Sequence, residues 1–573
     1  MSQNNHSKLQ SQQSVNSVIW SICDIMRRSN CAGAMEYVPE LTWILFLRIL
    51  DERETYEQEE AGALGLSYTP SLAAPYRWQD WAAPDGPKRQ ELQAEGKMGD
   101  FFHFLHDDLL PHIRGLDDPE QNPDPTPRQK VLAQVLSNVE RTRIDTEYNL
   151  WEVIDRVHHI KDDSIDPTHI FPLSQVYEGL LLRMGEKRND GGQFFTPREV
   201  IRAMVRAVDP RAGQTVYDPG CGTGGFLAQA YEYMSRPELD LLPTDIETLK
   251  HDTFFGREKD NTVYPMALAN LVLHGIDQPN LWHGNTLTGR EDSGELFRDA
   301  PGLFDVVLTN PPFGGKEGKE AQTRFAYKTS STQVLFLQHV IDSLSPGGTC
   351  GIVVDEGVLF RTNQGGFVKT KQKLLNECDL WCIVSLPGGV FTQAGAGVKT
   401  NLLFFTKGQP TEQIWYYDLS HLKIRKRTPL TLAHFDHFFE VLPDRADSDY
   451  SWTVDLGECK ARAKAEAKPI RAEAKAKQAE ANQLAARLKE LKKAKVAGSD
   501  EYAGTEAQLK ETRKKARELT RRAQAIENAV YDLKAVNPNI QIKEDTRTPE
   551  ELIAFIEANA QKVAQALALL RKT

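Results

Sequence analysis

The first part of the chain alternates between helical patterns and polar loops. Apolar residues recur at helical spacing across 37–60 and again across 128–157, and an acidic run ends the first of these segments. Patches rich in proline, glycine and aspartate at 70–87 and 117–127 are typical of surface loops. Residues 1–165 are therefore predicted to form a helical domain.

From about residue 214 the pattern changes to short β-branched or aromatic runs that alternate with helical stretches. Seven runs predict strands, at 214–217, 253–256, 281–283, 304–308, 349–354, 381–386 and 400–406. Strands that alternate with helices are joined by right-handed crossovers. We expect an α/β domain over 166–410 with a doubly wound, mostly parallel, seven-stranded sheet. Ligands of such sheets bind beyond the carboxyl ends of the strands, so the residues that follow each strand are the candidates for chemistry.

After a connecting segment at 411–457, residues 458–573 return to helical periodicity. A short turn bounded by Gly498 and Gly504 separates two stretches with heptad spacing, which predicts an antiparallel coiled-coil hairpin. The heptad positions are Ile470, Ala474, Lys477, Ala481, Leu484, Leu488 and Leu491, followed by Leu509, Thr512, Ala516, Leu519, Ala523, Ile526, Val530 and Leu533. A last amphipathic helix is expected at 549–570. An exposed hairpin of this kind is typical of a docking arm for a partner chain.

A glycine-rich loop follows the first predicted strand. Its sequence, Asp-Pro-Gly-Cys-Gly-Thr-Gly-Gly-Phe, places a carboxylate at the strand end ahead of the glycines. Glycines let the backbone turn tightly and approach a ligand closely. The candidate ligand-binding residues of this loop are Asp218, Gly220, Gly222, Thr223, Gly224 and Gly225.

Charge discriminates between two kinds of ligand for this loop. Gly220, Gly222 and Gly225 also satisfy the dinucleotide pattern G-x-G-x-x-G, which is weakly specific by itself. Asp218 would repel a pyrophosphate but attract the sulfonium and ammonium groups of S-adenosylmethionine. The next useful acid, Glu258, lies 33 positions after Gly225, whereas a dinucleotide site expects about 20. Glu258 could accept hydrogen bonds from both ribose hydroxyls. The alternatives are a helix cap for Asp218 and a surface acid for Glu258.

The second motif, Asn-Pro-Pro-Phe, follows the strand predicted at 304–308. An adenine amino nitrogen is a poor nucleophile because its lone pair is delocalised into the ring. The side-chain oxygen of Asn310 and the carbonyl of Pro311 can each accept one amino hydrogen, which favours a pyramidal nitrogen. Pro311 and Pro312 together fix the backbone that aims both acceptors. Phe313 offers a flat face for an extruded base to stack on. The alternative is a proline-rich turn with a buried phenylalanine.

A third motif, Gly-Gln-Phe-Phe-Thr-Pro, precedes a predicted helix. Its threonine is predicted to be the N-cap and its proline the first helical residue. This helix start and the aromatic pair suit the carboxylate end of the cofactor. In isolation the segment indicates only a helix start. The candidate residues are Gln193, Phe194, Phe195, Thr196, Pro197 and Arg198.

In this order, the three motifs resemble those of the γ-class amino-methyltransferases, and more closely the modification subunit of type I restriction-modification systems. Further similar stretches occur at 41–52, 176–183, 386–391 and 397–405. The resemblance covers about residues 10–410. The C-terminal part resembles the family only in its general type, without specific motifs.

The resemblance implies a Rossmann-like methyltransferase sheet and a site-specific DNA-methyltransferase that uses S-adenosylmethionine and modifies N6 of adenine in double-stranded DNA. In that family, residues 193–198, the glycine loop and the acid at Glu258 bind the cofactor, and residues 310–313 form the adenine site. At the third strand end the family usually has aspartate. Here Asn285 follows that strand, and it can accept a hydrogen bond but carries no charge.

Three interpretations of the motifs remain. Asn310 favours adenine over cytosine, because cytosine-amino enzymes usually place serine there. Phe313 is also compatible with methyltransferases that act on RNA or on protein glutamine, but those relatives are usually shorter and lack the helical N-terminal domain and the hairpin. A non-catalytic scaffold that retains the fold is the third interpretation, and the intact motifs argue against it.

The charge distribution bears on partners. The net charge is −11 over 573 residues, whereas 460–534 carries 20 basic and 11 acidic residues, a net +9. DNA affinity depends largely on lysine and arginine contacts to phosphates, so this chain is not expected to hold DNA unaided. The resemblance implies a separate sequence-specificity subunit, with two copies of this chain for each. The hairpin is the candidate dock, and the family also allows for a restriction or translocase subunit.

The apolar runs and the cysteines bear on the cellular location and on metal binding. No run approaches the roughly 18 apolar residues of a membrane span, which predicts a cytoplasmic protein without a membrane partner. Seven scattered cysteines include no C-x-x-C pair, and no metal site is predicted.

Overall fold

The computed structural model of the protein describes residues 20–29, 31, 34–95, 99–160, 196–289, 295–297, 300–391, 398–425, 428–493, 499–534, 536–539, 548, 551, 553–554 and 557. The N-terminal part is helical, as predicted. Its helices are α1 (Ala34–Ala63), α2 (Trp78–Trp81), α3 (Pro87–Glu95), α4 (Asp100–His103), a π-helical turn (Phe104–Leu109), α5 (Leu110–Arg114), α6 (Pro127–Leu136) and α7 (Glu147–His158). Large aromatic side chains fill the centre of this domain, among them the buried Trp43, Trp78 and Trp81.

One mixed sheet forms the core of the second part. Its strands are β1 (Val216–Asp218), β2 (Phe254–Glu258), β3 (Asn280–His283), β4 (Phe304–Thr309), β5 (Leu344–Asp355), β6 (Cys378–Ser385), β7 (Thr400–Lys407), β8 (Gln413–Asp418) and β9 (Ser451–Asp455). They lie in the order β3-β2-β1-β4-β5-β7-β6-β8-β9. Strands β1 to β5 pair in parallel, and β7 runs antiparallel between β5 and β6. All seven predicted strands are present, which confirms the doubly wound α/β class.

The prediction of a plain connecting segment at 411–457 missed two strands. β8 pairs in parallel with β6, and β9 pairs antiparallel with β8, so the sheet has nine strands rather than seven. β8 has six residues and β9 has five, so both are longer than β1 with three, and the β-branched and aromatic run at 414–417 is a strand signal that the prediction did not use. Helix α16 (Asp436–Val441) and a 3₁₀ turn (Leu432–Phe435) also lie in this segment.

Helices cover both faces of the sheet. They are α8 (Arg198–Val208), α9 (Gly225–Met234), α10 (Pro243–His251), α11 (Val263–Leu273), α12 (Lys319–Thr323), α13 (Thr332–Ser343), α14 (Glu356–Phe360) and α15 (Gly365–Glu377), with 3₁₀ turns at Pro237–Leu239 and Glu295–Phe297. Every residue of α11 is buried. A helix that is apolar on all sides needs cover all round, and α11 receives it from the sheet and from helices α1 and α6 of the N-terminal domain. The two domains therefore share one hydrophobic core.

Charged side chains lock this domain boundary. Arg53 donates to the carbonyl of Val272 at the end of α11 (2.9 Å) and pairs with Asp277. Arg128 pairs with Asp277 (2.9 Å) and Glu57 (2.8 Å). Burial raises the pKa of Glu57, but hydrogen bonds and charge from Arg128, with a further contribution from Arg53, lower it to about 2. The stabilisation from Glu57 is therefore present above its ordinary pKa of 4.5 and is lost as the pH falls toward 2.

The C-terminal part forms the predicted antiparallel hairpin. The hairpin consists of helix α17 (Leu456–Lys493) and helix α18 (Asp500–Ala529). Two ion pairs join the helices, Arg487–Glu501 (3.0 Å) and Arg471–Glu527. The buried seam is mostly alanine at seven-residue spacing, formed by Ala467, Ala474, Ala481, Leu509, Ala516 and Ala523. Small residues allow close helix approach.

The predicted turn is too long at its C-terminal end, because Gly504 lies inside α18. Ser499 caps this helix through a bond from the Tyr502 amide (3.3 Å). The helix expected at 549–570 lies largely outside the described residues. Among the helices that are described, none is both long and apolar enough to cross a membrane.

Replacement of Arg128 with leucine should destabilise the protein. The change leaves Glu57 and Asp277 with less compensation in a largely buried setting, which should reduce the free energy of unfolding by about 2 kcal/mol. Denaturant unfolding followed by tryptophan fluorescence measures this. The matched control is Arg156→Leu, since Arg156 pairs with Glu152 on an exposed helix face and should cost less than about 0.5 kcal/mol. Equal effects of the two changes would contradict a structural role for the boundary network.

Candidate active site

The candidate residues collect at one edge of the sheet. Asp218 ends β1, Glu258 ends β2, Asn285 follows β3 and Asn310 follows β4. These four strands are parallel neighbours, so their carboxyl ends meet at the same edge. The sheet therefore brings together residues that are up to 92 positions apart in the chain, counted from 218 to 310.

Asp218 is a buried carboxylate held by hydrogen bonds. One of its oxygens accepts from the Thr309 hydroxyl (2.7 Å) and from the Gly220 amide (3.1 Å). Burial, with a further contribution from the negative charge of Glu258, raises the pKa of Asp218 to about 7, although both hydrogen bonds lower it. Its hydrogen-bond and charge partners in the described chain include no cation. An added positive charge would stabilise the ionised form.

The glycine loop runs from β1 into α9, which begins at Gly225. Gly222 (φ 54°) and Gly224 (φ 79°) adopt the left-handed conformation that favours glycine. A Cβ on Gly224 would also lie 3.2 Å from the side chain of Leu271. The Cys221 amide donates to the carbonyl of Arg257 (3.0 Å), and the Thr286 hydroxyl donates to the carbonyl of Pro219. The loop is therefore held from two neighbouring strand ends.

Glu258 clamps the loop. It is buried, and its two oxygens accept from the backbone amides of Gly222 (3.0 Å), Lys259 (2.9 Å) and Asp260 (2.8 Å). Burial raises its pKa, and these bonds work in the opposite direction. The sequence indicated a ligand acceptor but not this clamp. A carboxylate has about four acceptor positions, so one remains for a hydroxyl group.

Asn285 is engaged in its own turn. Its side-chain oxygen accepts from the Leu287 amide (3.0 Å), and its carbonyl accepts from Thr288 (3.2 Å). The following residue, Thr286, is the one that contacts the glycine loop. The side-chain oxygen of Asn285 retains one lone pair for a ligand.

Asn310 contacts the segment before α8. Its amide nitrogen donates to the hydroxyl of Thr196 (2.9 Å). Its side-chain oxygen is buried and has no hydrogen-bond partner among the described residues. A buried acceptor without a donor costs about 1–3 kcal/mol. In the described part of the chain, this oxygen is therefore an acceptor that is open to a donor.

This contact corrects the prediction that Thr196 is the N-cap. Pro197 occupies the N-cap position of α8, and no side chain caps this helix. The Thr196 hydroxyl serves Asn310 instead. Arg198 opens the helix and pairs with Glu232 (3.6 Å). The predicted cofactor residues at 193–195 lie outside the described residues.

The two residues after Asn310 are supported from behind. The Pro311 carbonyl accepts from the side-chain amide of Gln333 on α13 (3.4 Å). Sequence reasoning missed Gln333, because it stands outside the three motifs, and the sequence does not mark it apart from the other glutamine of this helix, Gln338. Phe313 packs edge-to-face against the buried Phe391, with ring centroids 5.4 Å apart and an interplanar angle of 84°. Phe391 belongs to the 386–391 stretch noted for its family resemblance.

Comparison with known proteins identifies the family. The family described as N-6 DNA Methylase matches residues 169–480, more than half of the chain, and the HsdM N-terminal domain matches residues 15–157. The chain belongs to the methylase subunits of type I restriction enzymes. It is 33% identical to the EcoEI methylase subunit of Escherichia coli over 78% of this chain and 89% of the relative. It is 31% identical to the EcoKI methylase subunit of E. coli K12 over 76% of this chain and 79% of that relative.

Solved structures of type I methylase subunits agree with this assignment. One chain, from a structure of the assembly and conformational transition of a type I restriction-modification system, is 33% identical and covers 98% of both chains with a TM-score of 0.63. A protein from Vibrio vulnificus YJ016, assigned as a modification subunit of a type I restriction enzyme, is 32% identical over 78% of this chain and 93% of its own, with a TM-score of 0.66. This methylase subunit is therefore a DNA methyltransferase of a restriction-modification system, as the motifs predicted.

Proposed function

We propose that this methylase subunit transfers the methyl group of S-adenosylmethionine to the N6 amino group of adenine in double-stranded DNA. The single observation that carries the proposal is the buried side-chain oxygen of Asn310, which has no hydrogen-bond partner in the described part of the chain. The carbonyl of the next residue, Pro311, is the second acceptor that we assign to the substrate. An amino group with two hydrogens matches this pair.

The groups around the glycine loop fit the cofactor. Asp218 is buried with no cation beside it among the described residues, and it suits the positive groups of S-adenosylmethionine. The clamped glycine loop offers backbone at close range, and Glu258 has one acceptor position left for a ribose hydroxyl. We assign the adenosine contact to Asn285. The start of α8, with residues 193–198, is our candidate for the carboxylate end.

The chain's own contribution to the reaction is orientation. Bound S-adenosylmethionine supplies an electrophilic methyl group. The oxygen of Asn310 and the carbonyl of Pro311 each accept one amino hydrogen, which aims the nitrogen lone pair away from the ring plane. Phe313, supported by Phe391, offers its face to the flipped base. Alignment of this kind supplies much of the rate enhancement. The proton is lost after transfer, because the product ammonium is strongly acidic.

Replacement of Asn310 with alanine should abolish adenine methylation while sparing the cofactor site. We expect kcat to fall at least about 100-fold, since one of two oriented acceptors is lost. Asn310→Asp keeps an acceptor oxygen and should retain measurable activity. The dissociation constant for S-adenosylmethionine should change less than about threefold in both variants. Mass spectrometry of nucleosides from digested DNA measures N6-methyladenine, and calorimetry measures cofactor binding.

The same assay separates the competing functions. Methyl groups found on cytosine, on RNA or on protein glutamine, with none on DNA adenine, would contradict the proposal. Wild-type levels of N6-methyladenine in Asn310→Ala would contradict the role of the side-chain oxygen.

The cofactor affinity should depend on pH through Asp218. Protonated Asp218 is neutral and gives no attraction to a cation, and its pKa is raised to about 7 by burial. Affinity should therefore rise as the pH increases through about 7, with binding about tenfold tighter at pH 8 than at pH 6. Asp218→Asn should bind weakly and show no such change. An identical pH dependence in this variant would assign the titration to another group.

We also propose that the hairpin formed by α17 and α18 docks a sequence-specificity subunit, with two copies of this chain per specificity subunit. The seam residues join the two helices to each other, and most other hairpin positions are exposed. The basic excess of the hairpin stands apart from the acidic remainder of the chain. The relative with 98% coverage was solved in the context of type I complex assembly.

Isolated protein should bind the cofactor but methylate DNA poorly. The net charge of −11 does not favour a hold on DNA, so addition of a matching specificity subunit should raise the methylation rate by about 100-fold or more. Tritium transfer to DNA measures the rate with and without the partner. Full sequence-specific activity of the isolated chain would contradict this dependence.

A further inference from the structure

We infer that Gln333 is a positioning residue for methyl transfer, holding the Pro311 carbonyl in the orientation that receives the adenine amino group. This inference rests on the proposed function. The Gln333 side chain is 2% exposed and lies on α13. Its amide nitrogen donates to the Pro311 carbonyl (3.4 Å), and its oxygen accepts from the Asp355 amide (3.2 Å).

The bridge joins the ends of two neighbouring strands. β4 and β5 are parallel, and Thr309 pairs with Ile352. Pro311 therefore stands just beyond β4, and Asp355 is the last residue of β5. Asp355 is itself fixed, because its carboxylate caps α14 through the Val358 amide (2.9 Å). Gln333 thus ties the motif backbone to a point that is already rigid.

A buried amide at this position needs a reason. The neighbours of Gln333 on α13 are mostly apolar and buried, and burial of an amide costs free energy unless hydrogen bonds compensate. Leucine would fill the same space without that cost. The bond to Pro311 is long at 3.4 Å, so its net contribution to stability is small. The hydrogen bond from the Gln333 amide instead fixes the orientation of the Pro311 carbonyl.

That direction matters for the proposed chemistry. A carbonyl oxygen has two lone pairs, and Gln333 takes one of them. The other remains for an amino hydrogen of adenine. Pro311 and Pro312 restrict the backbone torsions of the motif, but they do not tie it to the rest of the sheet edge. Gln333 supplies that tie from the side of α13, whereas Thr196 holds Asn310 from the side of α8.

The helix provides a matched control in Gln338. This residue is 1% exposed on the same helix, and its amide also makes two backbone hydrogen bonds, both to Tyr327 (2.9 and 3.0 Å). Neither bond reaches the motif at 310–313. A change at Gln338 therefore tests the general cost of altering a buried glutamine on α13.

The test uses the complex of this chain with its specificity subunit and compares Gln333→Leu, Gln333→Glu and Gln338→Glu. At pH 8, kcat for both Gln333 variants should fall about tenfold, which corresponds to the loss of one oriented hydrogen bond. KM for the cofactor and for DNA should stay within about twofold. Gln338→Glu should leave kcat within about twofold of the wild type.

The pH profile distinguishes positioning from a structural effect. An ionised carboxylate at position 333 cannot donate to the Pro311 carbonyl, but a protonated carboxyl group can. The ratio of kcat for Gln333→Glu to wild-type kcat should therefore rise as the pH falls from 8 to 6, since burial favours the protonated form. The same ratio for Gln338→Glu and for Gln333→Leu should stay flat.

Two outcomes would overturn the inference alone. One is adenine methylation by Gln333→Leu at the wild-type kcat. The other is a flat pH ratio for Gln333→Glu, which is measured within one folded variant and so does not depend on the folding of Gln333→Leu. A wild-type complex that methylates no adenine would instead overturn the proposed function, and this inference with it.

Discussion

The hydrogen bond from the Asn310 amide to the Thr196 hydroxyl determines which end of the asparagine faces the site. Once the nitrogen is engaged, the oxygen remains buried without a donor from the described residues, and a buried acceptor without a donor costs about 1–3 kcal/mol. A site that keeps such an acceptor is complementary to a ligand with hydrogens to donate. The two residues come from different elements, since Thr196 precedes α8 and Asn310 follows β4. The sheet edge therefore has to be built correctly before the acceptor can exist.

The acids at the same edge follow the same principle. Burial, with a contribution from the charge of Glu258, raises the pKa of Asp218 to about 7, and Glu258 is itself buried, where it holds the glycine loop through backbone amides. A buried carboxylate costs free energy unless hydrogen bonds or an opposite charge compensate. Glu258 has three backbone hydrogen bonds, whereas no cation compensates Asp218 among the described residues. A perturbed carboxylate of this kind is typical of a binding site, where a ligand can supply the missing charge.

The two helical parts frame this edge in different ways. The N-terminal domain shares its core with the sheet through α11 and is locked to it by Arg53 and Arg128. The hairpin meets the sheet at its base, where the Leu533 amide donates to the carbonyl of Leu359 on α14 (3.2 Å). Helix α14 is the one whose cap, Asp355, also holds Gln333. The hairpin and the Asn-Pro-Pro-Phe motif are therefore both connected to α14 and its cap.

The sequence by itself determined the seven central strands, the glycine loop, the Asn-Pro-Pro-Phe motif and the heptad hairpin. Each is encoded within a few consecutive residues or by a short period, so local chemistry and spacing are sufficient. Only the tertiary structure decided the partner of Thr196, the clamp made by Glu258, the bridge made by Gln333 and the pairing that adds β8 and β9 to the sheet. These depend on contacts between distant positions, 114 residues apart for Asn310 and Thr196. No local pattern specifies which distant group will complete a buried hydrogen bond, because that choice is made when the strand ends come together.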